Sequence, residues 1–249
     1  MRVYFWERYE PLEMTMLGVA IAEFFGGQAT LATGRDGQAV SRFCRRCIVS
    51  GLVSRGAQVL DFRLVPSQVV RHGINTQKLD GAVYISYFNR QVQVHVYDSN
   101  GRNLSAEGAV RIRELMKEIR DTGASITDIG SLMQYTNAID DYVDYLLGIM
   151  KSRKEGRWLI DTQSDPIALV IEPLFSKANM EFTIFNPMLV GDGQIRSRDE
   201  FLLELSKGKY QHGVVIERDE LLGATYYDKD GNSRHFSSFE ELVRSIFSR

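Results

Sequence analysis

Two stretches decide the reading: GAVYISYFNRQVQVHVYDSNG at 81–101 and GVVIERDELLGATYYDKDG at 213–231. Each opens on a glycine and a few strand-forming residues, passes through a short loop, returns through a second β-rich run, and closes on Tyr-Asp-x-x-Gly. The closing residues are Tyr97, Asp98 and Gly101 in the first copy, and Tyr227, Asp228 and Gly231 in the second. Asp bonds nearby backbone amides and Gly takes a positive φ at little steric cost, so both copies end in tight turns. A helix is expected after each. Val110, Ile112, Leu115, Met116 and Ile119 recur at helical spacing, and Ser238 three residues before Glu241 reads as a capping signature ahead of Leu242, Val243, Ile246 and Phe247.

Working outward, the upstream halves correspond as well. A strand at 29–33, a helix at 38–54 and a strand at 58–62 match a strand at 158–161, a helix at 166–177 and a strand at 181–185. Strands alternating with helices of this length build parallel α/β units, and the closing hairpin makes each sheet mixed. The expected fold is therefore two consecutive α/β domains, 1–137 and 138–249, each a mixed sheet covered by helices. A turn-like link falls at 121–125 and an amphipathic helix at 138–150. The loops at 87–91 and 217–221 are then equivalent strand-end loops, where ligands bind in open α/β sheets. Facing each other, they are expected to define a cleft between the domains.

Composition narrows the function. The 249 residues are 44% hydrophobic and 25% charged, as in globular chains, and the net charge of −2 lacks the basic footprint of a nucleic-acid binder. No run approaches the roughly 20 apolar residues of a membrane span, so a cytoplasmic protein is expected. Cys44 and Cys47 lie within one helical stretch with Arg45 and Arg46 between them. Two cysteines supply neither a structural zinc site nor a disulfide framework, so both are read as packing residues in the reduced state. His72, His95, His212 and His235 show no metal-binding spacing and are read as structural.

The string Gly34-Arg35-Asp36, a helix ending Ser50-Gly51-Leu52-Val53-Ser54-Arg55-Gly56, and Val59-Leu60-Asp61-Phe62-Arg63-Leu64-Val65-Pro66 resembles the α-D-phosphohexomutases, the phosphoglucomutase and phosphomannomutase family. There the order is G-R-D-x-R, helix, G-L-x-x-x-G, strand and V-P-T-P. The resemblance covers about 15–235 and implies two phosphohexomutase-type domains, the N-terminal half of such an enzyme. It also implies that the family's sugar-recognition and phosphate-binding loops of later domains lie outside this chain.

Laid on that family, the phosphoserine loop T-A-S-H-N-P falls on Ile85–Arg90, placing Tyr87 at the nucleophilic serine, Phe88 at the histidine and Asn89 at the asparagine. A tyrosine reaches further than a serine and displaces any phosphorus it carries beyond what positioning catalysis tolerates. Ser86 is one position off and, on a strand, points to the other face. The lysine of N-G-x-K, an acid/base candidate, falls near His95. The metal loop D-G-D-A-D-R falls on Glu217–Leu222, retaining carboxylates at Glu217 and Asp219, with Leu221 and Leu222 replacing a ligand and an arginine. Two carboxylates suffice for Mg²⁺ only when a phosphate completes the shell, so a weak Mg²⁺ site or an ordinary polar loop is expected there. Arg35 and Arg8 are the phosphate-binding candidates. Tyr87 and Phe88 serve either a remodelled ligand loop or the filling of a closed cleft. The resemblance thus implies a mutase relative without 1,6-phosphoryl mutation by itself, binding a sugar phosphate or a partner chain. The alternatives are an active half completed by a partner, and a homodimeric interaction protein.

Overall fold

The 81–101 stretch folds as an antiparallel hairpin of β4 (Gly81–Phe88) and β5 (Gln91–Tyr97), with Tyr87 opposite Val92 and Phe88 opposite Gln91. Strand pairing extends further than expected. Tyr87 and Phe88 belong to β4, and the connection is only Asn89-Arg90, at φ 50° and 62°. Two consecutive left-handed residues give a two-residue turn whose twist matches the strands. The expected loop at 87–91 is corrected accordingly. The computed structural model describes residues 4–6, 10–119, 126–187, 195–217 and 222–247.

The chain divides into two compact units, 1–138 and 139–249. The first contains β1 (Tyr4–Trp6), α1 (Pro11–Phe24), β2 (Thr30–Arg35), α2 (Ala39–Ser54), β3 (Gln58–Leu64) and α3 (Ser67–Gln77) before the hairpin, then α4 (Ala106–Glu118) and β6 (Ser131–Gln134). Its six strands run in the order β1-β5-β4-β2-β3-β6. β2 pairs in parallel with β3 and β4, β3 pairs in parallel with β6, and β5 is antiparallel to both its neighbours.

Alternation along β4 assigns its two faces. Val83 and Ile85, with Val92, Val94 and Val96 of β5, join Leu17 and Ile21 of α1, Ile48 and Leu52 of α2, and Ile112 of α4 in one core. On the other face α3 approaches closely, since a Cβ at Gly73 would lie 2.2 Å from the Phe62 ring and one at Gly34 would lie 2.5 Å from Val70. Both faces of the central strands are therefore covered, and β4 is buried from Gly81 to Ile85. α1 and α2 meet at glycines, because a Cβ at Gly51 would lie 2.1 Å from the Thr15 carbonyl oxygen.

After α5 (Ala138–Ile149), the second unit contains β7 (Trp158–Asp161), α6 (Ala168–Lys177), β8 (Phe182–Ile184), α7 (Arg198–Leu205), β9 (His212–Ile216), β10 (Ala224–Asp228), β11 (Ser233–Phe236) and α8 (Phe239–Ile246). The sheet order is β11-β10-β9-β7-β8, so β7, β8, β9 and β10 repeat the roles of β2, β3, β4 and β5. The outer strand differs in origin. β1 arrives from the start of the chain, whereas β11 follows the hairpin directly and precedes the helix expected after Gly231. Trp158 packs against Phe175, Phe247 and His212 on one face. Leu159, Val215 and Tyr227 pack with Phe201 and Leu205 of α7 on the other. Ser197 caps α7 through a full capping box with Glu200, and Ser238 caps α8 by accepting from the Glu241 amide.

Candidate functional site

In each sheet the chain leaves its first parallel strand in one direction and later returns to the other side, so strand order reverses between β2 and β4 and between β7 and β9. The carboxyl ends of those strands form the crevice where open α/β sheets take ligands.

In the first unit, the crevice is tied together by Asp36. Its carboxylate accepts from the Tyr87 amide at 2.7 Å and the Gln38 amide at 3.0 Å, while its own amide donates to the Ile85 carbonyl at 3.0 Å. Asp36 is 2% exposed, so backbone amides rather than water supply partners to its carboxylate. These bonds hold residues 51 positions apart in sequence. Arg35, half-buried beside it, donates to the Asp36 carbonyl at 2.6 Å. Burial, then the nearby Arg45 and Arg42 guanidiniums, pushes the Arg35 pKa below its ordinary value.

Tyr87, expected from the resemblance to fall at the nucleophilic serine, is partly buried and packs against the core beneath α1, α2 and α4. Ser86 faces the α3 side, where its hydroxyl oxygen lies 3.4 Å from Nε2 of His95. His95 is 5% exposed and lies between Tyr84 and Tyr97, with ring centroids at 6.2 and 6.4 Å. It sits within the covered face of the sheet, alongside the buried Gln93. Asn89 stands at the exposed tip of the turn. Arg8 lies outside the described residues. Cys44 is buried and Cys47 half-buried, both free, and burial raises the Cys44 thiol to about 12, which keeps it unreactive.

Sequence reading missed the layer behind Asp36. Asp61, 4% exposed, accepts from the Arg63 amide at 2.9 Å and from the Thr33 hydroxyl at 3.4 Å, and pairs with Arg45 at 2.9 Å. Arg63 itself takes φ 62°, where the β2–β3 register shifts. The available signal was two aspartates, Asp36 and Asp61, among six arginines in 35–63.

In the second unit, Asp161 ends β7, buried to 2% exposure, accepting from the Gln163 amide and the Asn186 side chain, each at 2.9 Å. Burial raises its pKa, opposed by those two hydrogen bonds. Glu217, at the end of β9, lies 3.4 Å from an Arg198 nitrogen and 3.4 Å from the Thr225 hydroxyl. Arg198 also donates to the Tyr227 hydroxyl at 2.6 Å. A guanidinium therefore already stands against Glu217. Asp219, its expected companion, lies outside the described residues. Among the described residues no three His, Cys, Asp or Glu side chains converge on a common centre, and no helix is long and apolar enough to cross a membrane.

Two α/β units, each with a strand-order reversal, define the class, and known proteins show what the chain is similar to. Residues 6–123 match the model of phosphoglucomutase/phosphomannomutase, alpha/beta/alpha domain I. A phosphoglucosamine mutase of Streptomyces coelicolor is 27% identical over 167 residues, 64% of this chain and 37% of that protein. A phosphoglucomutase/phosphomannomutase family protein of Burkholderia thailandensis superposes with a TM-score of 0.73 at 16% identity, over 90% of this chain and 51% of that one. The phosphoglucomutase parafusin of Paramecium superposes at 0.63 and 10% identity, over 89% and 49%. The first unit is thus similar to domain I of the phosphoglucomutase/phosphomannomutase family, and the chain spans about half the length of the solved structures it matches.

Proposed function

We propose that this chain binds a phosphorylated hexose at the carboxyl edge of its first sheet and does not by itself run 1,6-phosphoryl mutation. One observation carries the reading: Tyr87, which the resemblance lays on the nucleophilic serine, packs half-buried against the core while its amide is held by Asp36. A nucleophile must present its oxygen to the phosphorus along the line of displacement. An aromatic ring anchored under α1, α2 and α4 leaves that oxygen badly placed. Retention of the Asp36 bond argues that the crevice is still built to a defined shape, which suits binding.

The test is the purified chain with glucose 1-phosphate or mannose 1-phosphate, hexose 1,6-bisphosphate and Mg²⁺, followed by a coupled assay and intact-mass spectrometry. The expected result is no turnover and no added phosphate, with saturable binding of the hexose phosphate by calorimetry. Turnover, or a phosphate adduct on Ser86 or Tyr87, would overturn the loss of mutase chemistry. Absence of any hexose phosphate binding would overturn the ligand.

A further inference from the structure

Five arginines gather behind the Asp36 crevice. Arg35 ends β2, Arg63 ends β3, and Arg42, Arg45 and Arg46 lie in the first turns of α2. Register places Gly34 opposite Arg63 and Arg35 opposite Leu64, so the first two stand on adjacent strand ends. Arg45 reaches the same edge, since its Nη1 meets the Asp61 carboxylate at 2.9 Å and Asp61 in turn holds the Arg63 amide. Arg42 and Arg46 flank the exposed Phe43, their guanidinium carbons 5.6 and 5.9 Å from its ring centroid.

Asp36 and Asp61 are the carboxylates among these residues; both pull on the guanidiniums, but two carboxylates do not match five arginines. The Asp36 carboxylate accepts from two backbone amides, and the Arg35 guanidinium donates to the Asp36 carbonyl. Asp61 divides its oxygens among Arg45, the Arg63 amide and the Thr33 hydroxyl. Arg45 is half-buried; its Nη1 meets the Asp61 carboxylate at 2.9 Å, while its buried Nε makes no hydrogen bond. Burial, followed by the mutual repulsion of these guanidiniums, pushes Arg35 and Arg45 below their ordinary pKa, in Arg45 against the pull of Asp61. A solvated arginine face spreads its charges into water. This one holds two of them half-buried, with the Nε of Arg45 left without a hydrogen-bond partner.

We propose that Arg35, Arg42, Arg45 and Arg63 form the receiving site for a phosphate monoester dianion. Guanidinium forks match phosphate oxygens in pairs, and a dianion offsets the excess charge that the two aspartates leave. The site complements the change at Tyr87: a phosphate carried by the ligand occupies the edge where no side chain is placed to carry one. This rests on the reading of the chain as a binder of phosphorylated hexose, which supplies the ligand class.

The experiment is calorimetric titration of the full chain with three probes, glucose 6-phosphate, inorganic phosphate and glucose, at fixed ionic strength. Arg42→Ala and Arg63→Ala serve as variants, both exposed positions whose loss leaves the core intact. The site requires that both phosphate probes bind, that glucose does not compete with inorganic phosphate, and that each variant weakens phosphate about tenfold. If glucose 6-phosphate binds and the variants bind it as the parent does, the arginine site is overturned while the hexose phosphate reading stands. Binding of inorganic phosphate that the variants weaken, with no gain from the sugar, supports the site and sinks that reading. Absence of either phosphate probe's binding up to about 10 mM overturns the site. Amide shift mapping on the parent chain adds an independent check: phosphate-induced shifts outside 35–46 and 61–64 would also overturn it.

Discussion

Replacing Asp36 by alanine tests how the crevice is held. The carboxylate, 2% exposed, accepts from the Tyr87 and Gln38 amides at 2.7 and 3.0 Å. A hydrogen bond to a charged group contributes about 1.5–3 kcal/mol, and an amide left unpaired costs about 1–3 kcal/mol. Tyr87 and Gln38 are only half-buried, so water recovers part of the loss and the lower ends apply. Asp36→Ala should therefore cost about 3 kcal/mol, two bonds at about 1.5 each. Asp36→Asn should cost about half, because its amide oxygen serves one donor while its NH₂ opposes the other. The assay is native-state hydrogen exchange, which resolves the Tyr87 amide itself, together with urea unfolding of the first unit. Exchange at Tyr87 should accelerate about 10²-fold in Asp36→Ala, since 1.4 kcal/mol is tenfold. An alanine variant within 1 kcal/mol of the parent, with Tyr87 protection unchanged, would refute the claim that this carboxylate pins β4 to the β2 end.

Gly51→Ala forces a methyl group to 2.1 Å from the Thr15 carbonyl oxygen, so α1 and α2 must separate; a loss of about 3 kcal/mol in melting or urea unfolding is expected. Gly148→Ala is the counterpart, since a Cβ there meets nothing within 4 Å, and stability should rise by about 0.5–1 kcal/mol. Arg45→Met leaves Asp61 buried and uncompensated, costing about 3–5 kcal/mol, and adding Asp61→Leu should recover part of that loss in a double-mutant cycle. His212 bonds the Tyr226 hydroxyl at 2.8 Å and the Glu155 carbonyl at 2.9 Å, and burial holds its pKa below the ordinary 6.5. Its contribution is complete above pH 6.5 and is lost as pH falls through the lowered folded value. The urea midpoint should decline between pH 7.5 and 5.5, and His212→Gln should flatten that decline; an equal slope in the variant would count against this assignment.

Much of the scaffold was legible because its signals are local. The Asp98 and Asp228 turns show the bonding their sequences imply: Asp98 accepts from the Asn100 and Arg102 amides, and Asp228 from those of Asp230 and Asn232. Helical spacing marked α4, and Ser238 marked the start of α8. β1, β6 and β11 were not read, because each is an edge strand of three or four residues that exists only through its partner. α3 was missed for a different reason. Its buried face is interrupted by Gly73, which is required by contact with Phe62 and carries no hydrophobic signal.

The sequence alone determined that Ser86 and Tyr87 take opposite faces of a strand and that two α/β units follow one another. Alternation in β4 and the order of strands and helices contain that much, since both are properties of neighbouring residues. Only the tertiary structure decided which face is which. Tyr87 packs against the core on the side that α1, α2 and α4 cover, while Ser86 meets His95 on the other. It alone brought Asp36 to the Tyr87 amide and the arginines of β2, α2 and β3 to one edge. Those contacts join residues far apart in the chain, and their energies depend on burial and partner distance, which no local pattern encodes.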